Sequence, residues 1–390
     1  MAAKTVRKGR VKTRRSTYAA LAKQELALFG GIATAVLFGI FGEFWLSHLD
    51  TYHIGVLLFF WLFGVMVWCS FSVVRHADSL AELLGEPYGT LILTLSVISI
   101  EVTMIAGIML GGENNPTLPR DTMFAILMIV LNGMVGLTLV IGALRHGQQH
   151  YNLQGATAFL AVITTLAVLS LVIPDFTTTT ATPTFSHLQA AIFATLTLLL
   201  YGAFLMIQTV RHKTFFMEPE GTQRPAEQLS VGHSKHRIKI HSIPYHAVLL
   251  FLTLLQVILL SEFLSKILNH SVEEVGMPIA FSGIVIAMMV LAPEGMAAIE
   301  AAARNRLQRA VNLCLGSALS TIGLTIPAVL AISLYTGVSL ELGLDRVELV
   351  LLMLTLFISL ITFSGVPTNL LLGVVHLVLF FSYLTLVFEP

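Results

Sequence analysis

Two glutamates stand in the middle of stretches that are otherwise apolar: Glu101 in Ser96-Val97-Ile98-Ser99-Ile100-Glu101, and Glu294 in Leu291-Ala292-Pro293-Glu294-Gly295. A carboxylate in a hydrocarbon environment costs a few kcal/mol or more, so its presence there points to function. Such a group is cheaper protonated than charged unless a cation supplies the missing charge, so protons and cations compete for its oxygens. A divalent cation replaces two protons. Ca²⁺ gathers about six to eight oxygens, so two carboxylates would have to be completed by backbone carbonyls and water. Pro293 is placed to free a carbonyl one turn earlier in its helix. Thr94 lies seven residues before Glu101 on the same helical face, and Asn132, Ser317 and Ser320 fall in the apolar runs that follow the two glutamates. These six residues form the candidate ion and proton site, with Glu101 and Glu294 as the metal-binding pair.

The rest of the chain must be able to hold such a pair away from water. Of 390 residues, 56% are hydrophobic and only 11% charged, and mean hydropathy is +0.84, against about 25% charged in a soluble domain. Apolar runs of about 20 residues, the length that crosses a bilayer, recur near 26–46, 54–74, 89–110, 122–144, 155–174, 187–208, 243–262, 278–303, 309–335, 346–363 and 367–388. The sequence therefore predicts an all-α integral membrane protein of about eleven transmembrane helices. The first run is too long for a signal peptide and is kept as a span. Cys69 and Cys314 both lie inside apolar runs and suggest no disulfide framework.

Orientation follows from the basic residues. The segment before Leu26 carries Arg7, Lys8, Arg10, Lys12, Arg14 and Arg15 without an acidic residue before Glu25, which favours a cytoplasmic N-terminus. With that start, every Lys and Arg falls on the cytoplasmic side except Arg120, Lys266 and Arg346. The long polar connection 209–242, with Pro219, Gly221, Pro225 and several histidines, reads as a cytoplasmic linker. It divides the chain into a basic N-terminus (1–25), an extra helix (26–46), a first five-span unit (54–208), the linker, and a second five-span unit (243–390). An odd number of spans per unit inverts the second relative to the first, the plan of inverted-repeat transporters. The second span of each unit carries one glutamate, and the next span in each is rich in small and polar residues: Leu131-Asn132-Gly133-Met134-Val135-Gly136 and Leu315-Gly316-Ser317-Ala318-Leu319-Ser320-Thr321. Matching Asn132 with Gly316 is the preferred register between them; the shared Gly-Leu-Thr at 136–138 and 323–325 gives one shifted by about a turn.

With these residues in view, the sequence resembles the calcium/cation antiporter superfamily, in particular its proton-coupled branch, over nearly everything after the basic N-terminus. That resemblance implies an ion site built from one glutamate in each repeat, here Glu101 and Glu294, each followed by a Gly-Ser-rich helix, here with Gly316-Ser317 and with Asn132-Gly133. The family's Gly-Asn before each glutamate is replaced by Val97-Ile98 and Val290-Leu291. Fewer amide ligands put Na⁺ and K⁺ beside Ca²⁺ as cargo. The implied activity is secondary cation/proton antiport, with calcium/proton exchange leading and sodium or potassium/proton exchange without calcium transport as the alternative. The implied location is the inner membrane. The implied partners are lipid, the transported cations and protons; no cofactor is implied, and self-association is left open.

Other residues invite blander readings. Glu300 lies four residues before Arg304, where a helical ion pair accounts for it. Glu43 falls near the end of the first span and reaches the interface, and His376 reads as a satisfied core histidine. An intramembrane enzyme is disfavoured, since the chain has no His-Glu-x-x-His, Gly-x-Ser-x-Gly or P-loop pattern. Balanced charge, with 22 basic and 22 acidic residues, gives a nucleic-acid partner no support.

Overall fold

The computed structural model describes residues 25–389 except 50–51, 86–87, 111–115, 181, 219–241, 274–275, 339 and 366. Most of the 209–242 connection and the basic N-terminus therefore lie outside the described residues. Within them the chain forms eleven long helices: α1 Leu26–Leu46, α2 Tyr52–Leu84, α3 Tyr88–Leu110, α4 Leu118–His146, α5 Leu153–Phe176, α6 His187–Arg211, α7 Ile243–Glu273, α8 Ala280–Ala303, α9 Leu307–Thr336, α10 Arg346–Thr362 and α11 Leu370–Phe388. Nine of them are long and apolar enough to cross a membrane by composition alone; α3 and α10 are the other two. The protein is a multi-pass membrane protein.

Two helices outrun the apolar stretches that announced them. Hydropathy closes the second span near residue 74 at Arg75, yet α2 continues to Leu84. A helix propagates until a residue breaks it, and the first breaker is Gly85, whose φ of 68° suits a residue without a Cβ. Arg75 does not end the helix because Glu25, at the start of α1, accepts its hydrogen bond at 2.6 Å. Glu25 also accepts from the Tyr245 hydroxyl of α7 at 2.9 Å and lies 3.2 Å from His76 Nε2. This cluster fastens the extra helix α1 to α2 and α7, against which it packs. Helix α7 likewise runs past Glu262, which pairs with Lys266 one turn on.

Packing divides into two apolar bodies. One gathers α1, α2 and α7 with the adjoining faces of α3 and α8; the other gathers α4, α5, α6, α9, α10 and α11 with the opposite face of α8. Contacts repeat between the halves of the chain: α4 packs on α8 and α11, while α9 packs on α3 and α6. At the α4–α8 crossing a Cβ on Gly283 would stand 2.8 Å from the Asp121 carbonyl carbon and the Thr122 nitrogen. Only glycine permits that approach of two backbones. Cys69 and Cys314 are free and buried.

Helices α4, α5, α6 and α9 each contain a π-helical segment; those of α4 and α9 span Ile129–Met134 and Thr321–Thr325. Each begins at the same distance along the chain from its own glutamate, Glu101 or Glu294, to within one residue.

The crossing yields a stability test. Gly283→Val should destabilise the protein by about 1–3 kcal/mol, the usual cost of overpacking, read as a lower melting temperature in detergent. Gly64→Ala, where a Cβ meets nothing within 4 Å, should leave it unchanged or slightly raised.

Candidate ion site

Helix α9 holds both carboxylates. Thr321 Oγ1 donates to Glu101 Oε2 at 3.0 Å, and Ser317 Oγ donates to Glu294 Oε2. Ser317 and Thr321 are four residues apart on one helix face, roughly 6 Å along the axis. The glutamates, from α3 and α8, therefore converge on adjacent turns of a third helix.

Their surroundings differ. Glu101 is fully buried, and its Oε1 has no hydrogen-bond partner. One turn beyond Thr321, Thr325 Oγ1 is likewise buried and unpartnered. Glu294 is half-buried and opens into a cavity of about 120 Å³ lined by Thr94, Tyr201, Gln208, Asn312, Ser317 and Ser320 among others. Pro293, inside α8 and directly before Glu294, has no amide hydrogen, so the carbonyl of Met289 lacks its helical partner. Carboxylate oxygens, hydroxyls and a freed carbonyl make a hard-oxygen donor set, which suits Na⁺, K⁺ or Ca²⁺. Among the described residues no group of three or more His, Cys, Asp or Glu forms a metal cluster.

The residues singled out from sequence are not all placed alike. Glu294, Thr94, Ser317 and Ser320 share the cavity, and Glu101 stands on the next turn of α9. The Ser320 hydroxyl is turned to the Ser317 carbonyl at 3.0 Å. Asn132 is fully buried, but its amide bonds Thr355 and His376 of α10 and α11, not a glutamate. Sequence reasoning passed over Thr321 and Thr325, although their spacing repeats that of Ser317 and Thr321 along the same face. It also passed over Asn312, five residues before Ser317 on α9, and over Tyr201 and Gln208, which come from α6 and carry no local signal. Glu300 pairs with Arg304, Glu43 is exposed, and both ring nitrogens of His376 are bonded, as their positions in the sequence led one to expect.

The pattern of the family described as "Sodium/calcium exchanger protein" matches residues 54–210 and 245–389, which is most of the chain. The chain belongs to this family. It is 44% identical over 324 residues to the "Putative ionic transporter y4hA" of Sinorhizobium fredii, covering 83% of this chain and 86% of that protein. It is 40% identical over 321 residues to the "Sodium-potassium/proton antiporter ChaA" of Escherichia coli, covering 82% and 85%. Among solved structures, native YfkE superposes with a TM-score of 0.70 at 18% identity, over 93% of this chain and 100% of that one. The H⁺/Ca²⁺ exchanger CAX superposes with a TM-score of 0.62 at 14% identity, over 93% and 88%. These two likenesses establish a shared fold for this exchanger-family member.

Removing the Thr321 hydroxyl takes a donor from a buried carboxylate and removing the Ser317 hydroxyl takes one from a half-buried carboxylate, a loss of about 1–3 kcal/mol that falls on the charged form that a cation needs. Ser317→Ala and Thr321→Val should each weaken cation binding to the purified protein by about tenfold at fixed pH. Titration of the detergent-solubilised variants against wild type checks this.

Proposed function

We propose that the protein is a secondary active cation/proton antiporter in which one cation or protons, but not both, occupy Glu101 and Glu294. The observation that carries this reading is the pair of intramembrane carboxylates on successive turns of α9, held by hydroxyls and by no basic residue. A permanent positive partner would neutralise the site. Hydroxyl donors steady a carboxylate and still leave it to choose between proton and metal. Ca²⁺ exchanged for two protons fits two carboxylates with Thr321, Thr325, Ser317, the Met289 carbonyl and water to complete its shell. Na⁺ or K⁺ exchange is the second reading, favoured by the name of the 40% identical relative and by the absence of a third acidic ligand among the described residues.

The two five-helix units are taken as inverted repeats, 54–208 and 243–390, that expose the site alternately to the two sides. The matching helix contacts and the similarly placed π segments support this. The cavity at Glu294 extends to Gln208 near the end of α6 and Asn312 near the start of α9, so this conformation is assigned as open toward those ends. With the N-terminus and residues 209–242 in the cytoplasm of a cell whose inner membrane holds the protein, that opening faces the cytoplasm.

Glu101→Gln and Glu294→Gln should each abolish cation-driven proton movement in everted vesicles while the protein still inserts, and Glu300→Gln should retain it. Loss with Glu300→Gln alongside normal exchange in either of the other two would overturn the mechanism. Because protons and cation share the oxygens, lowering pH on the cation-loading side should raise the half-saturating cation concentration; a value constant from about pH 6 to pH 9 contradicts competition. Orientation is checked in a background with Cys69 and Cys314 replaced by serine: an impermeant thiol reagent on intact cells should label a cysteine at Thr180 and not one at Thr214.

A further inference from the structure

The π segment of α4 is held in place by a polar chain that reaches away from the two glutamates. Asn132 Nδ2 donates to Thr355 Oγ1 of α10 at 2.8 Å, and that hydroxyl in turn donates to Met128 Sδ at 3.5 Å. With its nitrogen engaged there, the Asn132 amide presents Oδ1 to His376 of α11, whose Nδ1 lies 3.2 Å away. An amide oxygen only accepts, so Nδ1 carries the hydrogen. Nε2 is then left with its lone pair, and the Thr362 hydroxyl at 2.9 Å donates to it. His376, Asn132 and Thr355 are each 0% exposed and Thr362 is 1% exposed. The imidazole is thereby fixed as one neutral tautomer. Giving up the Nδ1 proton would break its bond to Asn132, whose amide oxygen can only accept.

The packing says what this chain of bonds controls. On one side the segment Ile129–Met134 touches α10 and α11; on the other it touches α8, which carries Glu294, and α9, which carries Ser317 and Thr321. The contact with α11 is close: a Cβ on Gly133 would lie 3.3 Å from Phe380, and one on Gly136 2.9 Å from Leu377. A π segment has weaker backbone restraint than the α-helix around it. Its position is therefore set by what its side chains hold.

We propose that His376 is a positioning residue for the ion site: with Thr355 it locks the Asn132 amide and keeps the π segment of α4 in register against the helices that carry Glu294 and its donors. Asn132 then serves the cation through the placement of its backbone, while its amide faces away. The inference rests on the reading of Glu101 and Glu294 as the cation site.

The test measures exchange against cation concentration and pH in vesicles for four variants, with insertion and melting temperature followed alongside. His376→Leu leaves Asn132 Oδ1 buried without its donor, and Thr355→Val leaves Nδ2 with only its weak contact to Met128 Sδ at 3.7 Å. Each should raise the half-saturating cation concentration about tenfold with a near-normal maximal rate. His376→Asn, whose amide can replace the Nδ1 donor, and Thr355→Ser should restore it. Because the imidazole does not titrate in this role, His376→Asn should keep the wild-type pH profile. A shifted pH profile or lost proton coupling in His376→Asn would make the histidine a proton carrier and overturn the proposal. So would an unchanged half-saturating concentration in both His376→Leu and Thr355→Val, or a loss of maximal rate alone. If His376→Leu fails to insert, Thr355→Val, which removes a single hydroxyl, decides. Glutamine at 101 and 294 separates the two levels: normal exchange there sinks the site itself, whereas abolished exchange with unaffected His376 and Thr355 variants sinks only the positioning role.

Discussion

Everything in this molecule is arranged around the cost of keeping two carboxyl groups in hydrocarbon without pairing them for good. A lysine or arginine beside Glu101 or Glu294 would be the simplest way to lower that cost, and the described residues bring none into contact. Hydroxyls from one face of α9 take the place instead. They donate to a carboxylate and accept from a carboxylic acid, so the same contacts serve both protonation states. That property is what an exchanger of protons for cations needs.

The protein shows by contrast how it treats acidic groups that have only structural work. Glu25 collects Arg75, His76 and Tyr245 to anchor the extra helix. Asp121 is tied to Arg120, which also donates to the Gly343 carbonyl at 2.8 Å and so fixes the start of α4 to the segment before α10. Glu300 and Arg304 close an exposed pair on α8. In each case a basic partner is present. The absence of one at Glu101 and Glu294 separates the site from the scaffold more sharply than burial does, since Asp121 is itself only 3% exposed.

Glu101 is sealed, with one oxygen unmet, while Glu294 meets a cavity. The two glutamates thus occupy different environments in a single conformation. The π segments of α4 and α9 lie where the halves meet, and they loosen the helices at the places that most need exact placement. The side-chain bonds around Asn132 compensate on one side.

The sequence alone determined the membrane class and the number of long helices, because both rest on a local property, the length of an apolar run; a charge where charge is costly and a bias in basic residues pointed from there to the two glutamates and to a division at the long polar connection. It also made Glu300 and His376 legible as structural, the first through its spacing to Arg304. Tertiary structure decided the rest. The ends of α2 and α7 fell beyond the apolar runs, and in α2 the charge of Arg75 within the continued helix is met by Glu25 from far away in the chain. The choice of Thr321 over Ser320 as a donor, and the turning of Asn132 toward Thr355 and His376, depended on which face of a helix meets which neighbour. A π segment rotates that face by a fraction of a turn, and no pattern of residue types along one helix records the rotation.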